Sequence, residues 1–191
     1  MDALASALRG RVRLEEADEH GLRWAAVALV LRGATLKDAE LLFIRRADRE
    51  GDPWSGHIAF PGGRHDSADA TLEETARRET REELSLDLDA GATMIGVLDD
   101  LCPRSAALPS IVVRPFVFAL TQDVVLVPNV EVHSLFWMPL SELRNPARAA
   151  EHVFDRGGAR LRFPAYQWGE HVVWGMTERI VTQLLDVSKA L

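Results

Sequence analysis

The feature that most constrains this chain is a glycine pair followed by a strongly acidic helix. The pair lies within Phe60–Arg64, and the helix contains the run Arg78–Leu84. With about 100° of rotation per helical residue, Glu79, Glu82 and Glu83 fall within about 100° of one another. Like charges on one face repel, so a cation is expected among them. Oxygen ligands favour hard ions such as Mg²⁺ or Mn²⁺.

A solvated surface is the competing interpretation of this helix, and acidic helices are usually of that kind. Glu73 with Arg77 and Glu74 with Arg78 have the spacing of surface ion pairs, each contributing about 0.2–0.5 kcal/mol. The three clustered glutamates have no such downstream partner. A stripe of small and apolar residues runs beside them: Leu72, Ala76, Thr80 and Leu84. This stripe indicates that the helix packs on a sheet, with the carboxylates at the edge of a cleft.

Composition bounds the class of protein. The 191 residues suit one domain with a terminal extension, and a formal net charge of −7 argues against a general nucleic-acid binder. Cys102 is the single cysteine, which excludes an intrachain disulfide, and no Cys/His spacing indicates zinc. No apolar run reaches membrane-spanning length and no secretory signal is evident, so a cytoplasmic location is the default expectation.

Hydrophobic patterning predicts an α/β domain with a mixed sheet covered on two faces. Residues 3–17 are expected to form an amphipathic helix outside the main core, within an extension over 1–20 that precedes a domain over 21–191. Thr71 and Glu74 form a capping box that begins the acidic helix. Strands are predicted at 24–31, 41–46, 57–60, 92–100, 111–120, 130–137, 160–163 and 171–174, helices at 72–84, 139–143 and 177–187, and loops at 47–56 and 145–160.

The acidic segment resembles the signature of the Nudix family. The matching positions are Gly63, Asp69, Arg78-Glu79 and Glu82-Glu83. The segment departs from the signature in three ways: Asp69 replaces a glutamate, the spacing from Asp69 to Arg78 is one residue longer, and Ser85 replaces the closing glycine. A serine in the left-handed conformation expected there costs on the order of 1 kcal/mol.

The resemblance implies a Nudix α/β/α sandwich with the catalytic helix after the glycine loop, whose Gly62 and Gly63 are structural. It implies that Glu79, Glu82 and Glu83 hold the metal, together with the Gly63 carbonyl. Arg78 is expected to pin the loop through a salt bridge to Asp69, with Glu73 as the alternative partner.

Four arginines are candidates for binding phosphate: Arg45, Arg46, Arg64 and Arg104, of which Arg64 is favoured because it directly follows the glycines. Each of the other three is equally consistent with a plain surface residue. The general base is one of the signature glutamates or Glu131, which precedes a predicted strand and is equally consistent with an exposed strand residue. His57 is expected to be structural.

The flanking segments 52–63 and 174–180 are similar to those of coenzyme A pyrophosphatase-like members, although Trp54 and Ser55 differ from that subgroup's own motif. Relatives that hydrolyse nucleoside diphosphate sugars have a similar layout. The implied function is Mg²⁺- or Mn²⁺-dependent cleavage of a small nucleoside diphosphate derivative: a coenzyme A-like compound, a nucleotide sugar or ADP-ribose. The alternatives are a nucleotide sensor without catalysis and a nucleoside triphosphate pyrophosphohydrolase. No nucleic-acid or membrane partner is expected, and a homodimer is one expected assembly.

Overall fold

The computed structural model describes residues 1–16, 22–103, 110–156, 159–189 and 191. The helices are α1 (Asp2–Gly10), α2 (Leu72–Leu84), α3 (Leu88–Gly91), α4 (Leu140–Leu143) and α5 (Gly175–Val187), with a short 3-10 helix at Pro146–Arg148. The strands are β1 (Arg23–Arg32), β2 (Glu40–Arg46), β3 (Ile58–Ala59), β4 (Gly62–Arg64), β5 (Ala92–Val97), β6 (Ile111–Leu120), β7 (Val132–Pro139), β8 (Ala149–Arg156), β9 (Ala159–Trp168) and β10 (His171–Trp174).

The main sheet has seven strands and is mixed. Its path runs β3-β2-β1-β6-β5, with β4 paired to β1 and β7 paired to β2. Strands β1 and β6 are parallel, and the other pairs are antiparallel. A second, three-stranded antiparallel sheet has the order β10-β9-β8.

Apolar side chains fill both faces of the main sheet. One cluster joins Ala76 and Leu84 of α2 to buried strand residues, and the other joins Leu4 of α1 and Ile180 of α5 to the opposite face. Helices therefore cover the sheet on both sides, which confirms the predicted α/β/α sandwich. No helix in the described ranges is both long and apolar enough to cross a membrane.

The acidic helix has the predicted boundaries. Thr71 caps it by accepting a hydrogen bond from the Glu74 amide at 3.1 Å, and the Glu74 carboxylate accepts from the Ala70 amide at 2.7 Å. At the other end Ser85 adopts the left-handed conformation, with φ of 54°, and its amide donates to the Arg81 carbonyl. Local capping signals therefore set both ends of α2.

Two predictions about the remaining elements were wrong. The helix predicted at 3–17 is α1, which ends at Gly10, and its buried Leu4 and Leu8 belong to the core. The loop predicted at 145–160 instead contains β8, which pairs along its whole length with β9. The glycine turn continues into strand β4, which pairs with β1. The division of the chain at residue 20 stays a prediction.

Candidate metal and phosphate site

The three clustered glutamates of α2 lie at three depths. Glu83 is 2% exposed, the Glu79 side chain is 16% exposed, and the Glu82 side chain is 55% exposed. Within the small and apolar stripe, Ala76, Thr80 and Leu84 are fully buried, and Leu72 is partly buried against the same cluster. The carboxylates therefore line an edge that runs from the protein interior to solvent, as the sequence pattern predicts.

Glu83 lies beneath the glycine loop. Its Oε2 accepts a hydrogen bond from the Gly62 amide at 2.9 Å. Burial raises the pKa of Glu83 to about 8, although that hydrogen bond favours the charged form. Gly62 has φ of 149°, and a Cβ there would lie 2.3 Å from the Ala26 carbonyl oxygen. Glycine is thus required where this amide approaches β1 and points at Glu83.

Glu79 packs against the next residue of the loop. A Cβ on Gly63 would lie 2.5 Å from Cδ and Oε1 of Glu79, so a larger residue there would displace the Glu79 carboxylate. Burial raises the pKa of Glu79, with the nearby Arg78 acting in the opposite direction. The two glycines thus let two carboxylates lie against main-chain atoms of the loop.

Arg78 connects the loop before the helix to the glutamates. Its Nε and Nη2 each donate to the Asp69 carboxylate at 2.9 Å, and its Nη1 donates to Glu79 at 2.9 Å and to Glu82 at 3.2 Å. Nη2 also donates to the Arg64 carbonyl at 3.2 Å. The salt bridge expected for Arg78 is therefore formed with Asp69.

Asp69 accepts two further hydrogen bonds, one of them from the Asp66 amide at 3.2 Å. The hydroxyl of buried Thr75 donates to its Oδ2 at 2.8 Å. The Arg78 guanidinium holds the pKa of Asp69 well below its usual range. Glu73, the alternative partner, bonds Arg77 instead, at 2.6 and 2.9 Å. Although Asp69 stands where the family signature has glutamate, it still forms an ion pair with Arg78 across the longer connection between them.

Arg46 is a candidate phosphate ligand whose charge acts on the pKa of the buried Glu83 carboxylate. It donates to Asp52 at 2.8 Å, and its charge lowers the pKa of Glu83 against the effect of burial. Its Nε is buried and lacks a hydrogen-bond partner within the described part of the chain. A buried donor of this kind is costly unless a ligand or water satisfies it.

The other candidate arginines differ in placement. Arg45 bonds Asp48 at 3.3 Å in the loop after β2. Arg64 is exposed, and its carbonyl faces Arg78. Arg104 lies outside the described residues.

The structure brings Glu131 to the same cleft. Its charge contributes to the raised pKa of both Glu79 and Glu83. Its carboxylate accepts a hydrogen bond from Arg49 at 2.9 Å, and its carbonyl accepts one from the Ala47 amide at 2.8 Å. The sequence interpretation missed Arg49, because the polar loop 47–56 shows no pattern that distinguishes it from neighbouring charged residues.

The donor set has the right chemistry for a hard divalent ion. Several carboxylates share one cleft, and burial raises the pKa of two of them, so added positive charge would stabilise their ionised forms. Within the described ranges, however, no three acidic, histidine or cysteine side chains are already gathered around one point as a metal site. Arg78 donates to one oxygen of Glu79 and to one oxygen of Glu82, so the second oxygen of each carboxylate would be the one to bind an ion.

Comparison with known proteins agrees with this arrangement. The family model described as NUDIX domain matches residues 21–156. The chain is 32% identical over 145 residues to an uncharacterized Nudix hydrolase NudL of Yersinia enterocolitica, with 75% of this chain and 71% of that protein covered. It is 33% identical over 149 residues to the human mitochondrial coenzyme A diphosphatase NUDT8, with 77% and 62% covered.

Length and fold extend the comparison. The chain spans 62% of the human protein and 33% of an uncharacterized relative from Schizosaccharomyces pombe. Among solved structures it is similar to a MutT/nudix family protein from Enterococcus faecalis, with a TM-score of 0.58 and 12% identity over 97% of this chain and 73% of that one. At that identity the likeness concerns the fold.

Proposed function

Because the chain belongs to the Nudix hydrolase family, we propose that it cleaves the diphosphate linkage of nucleoside diphosphate derivatives with the help of divalent metal ions. The family match over residues 21–156 includes the glycine loop, the acidic helix and Glu131. Enzymatic hydrolysis is the activity of this family, and the signature glutamates that such chemistry requires are all present in one cleft.

The observation that carries the proposal is the burial of Glu83 beneath the Gly62 amide. A carboxylate that is 2% exposed and has its pKa raised to about 8 is a costly feature of a protein without bound metal. A divalent ion beside it would remove that cost. A purely structural role would be served at lower cost by an uncharged side chain.

Glu79, Glu82 and Glu83, with the main-chain carbonyl of Gly63, are the proposed metal ligands. Their oxygens suit Mg²⁺ or Mn²⁺, which we propose as the physiological ions. When bound, such an ion neutralises phosphate oxygens and activates water for attack on phosphorus. The salt bridge of Arg78 with Asp69 would keep the loop and the helix in register while Glu79 and Glu82 hold the ion.

Phosphate binding is assigned to Arg46, Arg45 and Arg64, with Arg104 as a further candidate. Arg46 is best supported, because its buried Nε has no partner in the described chain and its charge acts on Glu83. A guanidinium binds phosphate oxygens through two parallel hydrogen bonds. The substrate would thus satisfy a donor that the described residues leave unpaired.

Glu131 is the proposed general base. It lies in the same cleft as Glu79 and Glu83, as their electrostatic coupling indicates. Arg49 donates to its Oε1 at 2.9 Å, so Oε2 is the oxygen that would accept a proton from water. The substrate phosphates offer Arg49 an alternative anionic partner.

Coenzyme A is the first substrate to test, because the human relative is named as a coenzyme A diphosphatase. A panel of coenzyme A, ADP-ribose and nucleotide sugars with Mg²⁺ or Mn²⁺, read by mass spectrometry, identifies the group that is released. Two monophosphate products support the proposal, whereas inorganic pyrophosphate from a nucleoside triphosphate indicates the alternative hydrolase. Saturable binding without cleavage indicates a sensor. A homodimer stays a prediction, which sedimentation tests.

Variants of the helix test the assignment of residues. Glu82→Gln and Glu83→Gln should each lower kcat by orders of magnitude while the thermal transition remains cooperative. Glu73→Gln is the matched control, because Glu73 lies on the same helix and bonds Arg77 rather than the cleft. Wild-type turnover in both cleft variants would refute the proposed ligand set.

A further inference from the structure

A cluster of aromatic rings lies at one end of the second sheet, and no role described above uses it. Trp174 is at its centre. The His152 ring stacks on the indole at 3.9 Å between centroids, and His57 lies at 4.9 Å, Phe163 at 5.7 Å and Phe154 at 6.2 Å. These five residues are called the aromatic cluster below.

The pairing of β8 with β9 puts the rings on one face of the hairpin. His152 pairs with Phe163 and Phe154 pairs with Leu161, so these side chains point to the same side of the sheet. Val153, between the two ring-bearing residues of β8, points to the other side. Phe154 is 43% exposed and Val153 is 48% exposed, so both of these side chains are accessible to solvent.

The aromatic cluster adjoins the proposed phosphate site through His57. The His57 carbonyl accepts a hydrogen bond from the Arg46 amide at 3.0 Å. The Arg46 charge also acts on the pKa values of both His57 and Glu83. From His57 the chain continues through β3 into the Gly62–Arg64 strand. Arg46 is thus the common neighbour of the buried carboxylate and the aromatic cluster.

The chemistry of the cluster suits a flat heteroaromatic ring. Burial lowers the pKa of His57 and of His152, which keeps both imidazoles neutral near pH 7. A neutral imidazole offers one donor and one acceptor at its edge, and the faces of Phe and Trp rings stack on planar groups. An alkyl chain would use the apolar faces but none of the ring nitrogens.

We propose that the aromatic cluster binds the nucleobase of the substrate, by stacking on Phe154 and its neighbours while the diphosphate lies at Arg46 and the acidic helix. This assignment rests on the proposed function and adds the base-binding end of the same cleft. The base would cover the exposed surface of Phe154 and extend the existing ring stack.

The test compares substitutions of Phe154 that separate ring shape from apolar bulk. Phe154→Leu keeps an apolar side chain without a ring, Phe154→Tyr keeps the ring, and Val153→Ala is the control on the opposite face. Calorimetry measures the binding of AMP to the metal-free protein, with ribose 5-phosphate as the probe that lacks a base. Steady-state KM for ADP-ribose with Mg²⁺ is the second measurement.

Phe154→Leu should weaken AMP binding and raise KM by about ten-fold, since one stacking contact is lost. Phe154→Tyr and Val153→Ala should stay within two-fold of the wild type, and ribose 5-phosphate binding should not distinguish the variants. Equal AMP binding by Phe154→Leu and the wild type, or no AMP binding by either, overturns the assignment. So does a change in molecular mass with Phe154→Leu, which would show that a second copy covers this face.

Failure of this assignment is distinguishable from failure of the proposed function. If the enzyme cleaves substrates of the panel but its KM is the same in the Phe154 variants, the proposed function stands and the base site is refuted. If the protein binds AMP through Phe154 but cleaves none of the substrates, the base site stands and the proposed hydrolase activity is refuted.

Discussion

The carboxylate of Glu79 lies directly against the backbone of Gly63, where a single added methyl group would be 2.5 Å from Glu79 Cδ. That distance is far below ordinary van der Waals contact, so a Cβ at position 63 would push the Glu79 carboxylate out of its place. This contact joins the two halves of the sequence signature. Because Gly63 has no side chain, the Glu79 carboxylate of α2 can lie against the loop backbone.

Gly63→Ala should displace Glu79 and weaken metal binding. Because misplacement of a reacting group by about 1 Å can cost about 100-fold in rate, we expect a loss of that order in kcat/KM. A calorimetric titration with Mn²⁺ measures the metal affinity directly. Gly10→Ala is the control, since nothing lies within 4 Å of a Cβ built there. Unchanged Mn²⁺ affinity in Gly63→Ala would contradict the assigned contact.

Glu83 should make the metal-free protein less stable at alkaline pH. The pKa of Glu83 is about 8 in the folded state against 4.5 for an ordinary glutamate, so between these values the folded state holds a proton that the unfolded state has released. The free energy of unfolding therefore falls as pH rises from about 4.5 to about 8, and then levels off. Urea denaturation in EDTA measures this, with Glu83→Gln as the reference that lacks the group.

Glu83→Gln should be more stable than the wild type at pH 8.5, by on the order of a few kcal/mol, and the gap should shrink toward pH 5. The difference between the two proteins isolates Glu83 from all other titrating groups. A gap that does not change with pH would show that the burial of Glu83 carries no penalty for its charge.

Asp69→Asn should destabilise the protein by about 2–3 kcal/mol near neutral pH, because a charged hydrogen-bonded partner of Arg78 is lost. The pKa of Asp69 is lowered in the folded state, so its contribution is present above about pH 4 and is lost as pH falls further. Asp155→Asn is the control: its exposed pair with Arg160 spans 3.6 Å, and we expect less than about 0.5 kcal/mol. Chemical denaturation of both variants at pH 7 and pH 3 decides between these expectations.

Ser85→Gly should stabilise the protein by about 0.5–1 kcal/mol. Ser85 has φ of 54°, which a glycine adopts without a steric penalty. The variant loses a 3.4 Å hydrogen bond from the hydroxyl to the Val127 carbonyl, and Ser85→Ala separates that effect from the backbone effect. If Ser85→Gly and Ser85→Ala change the urea midpoint equally, the left-handed conformation is not the cause.

Local signals explain why parts of the fold were predictable. The cap at Thr71 and the apolar stripe on the acidic helix lie within a few residues of the structure they specify, and α2 has the predicted limits. Strand β8 was missed because its residues alternate weakly and most of those with described burial are exposed. The strand is defined by its pairing with β9, and residues 149–156 taken alone give no sign of that pairing.

The candidate site divides in the same way. Helical periodicity alone placed Glu79, Glu82 and Glu83 on one flank, and the salt bridge of Arg78 with Asp69 followed from the family resemblance. The contact of Arg49 with Glu131 joins segments that are far apart in the chain. The state of the Arg46 Nε depends on its burial in the folded protein. No sequence spacing fixes such contacts.

By itself, the amino-acid sequence determined the acidic helix, the glycine loop that precedes it and the family, because each depends on residue types at short spacing. The tertiary structure decided the depth of each carboxylate, the partner of each arginine and the gathering of five aromatic residues around Trp174. Burial and electrostatic coupling arise when distant segments pack together, so those properties exist only in the folded chain.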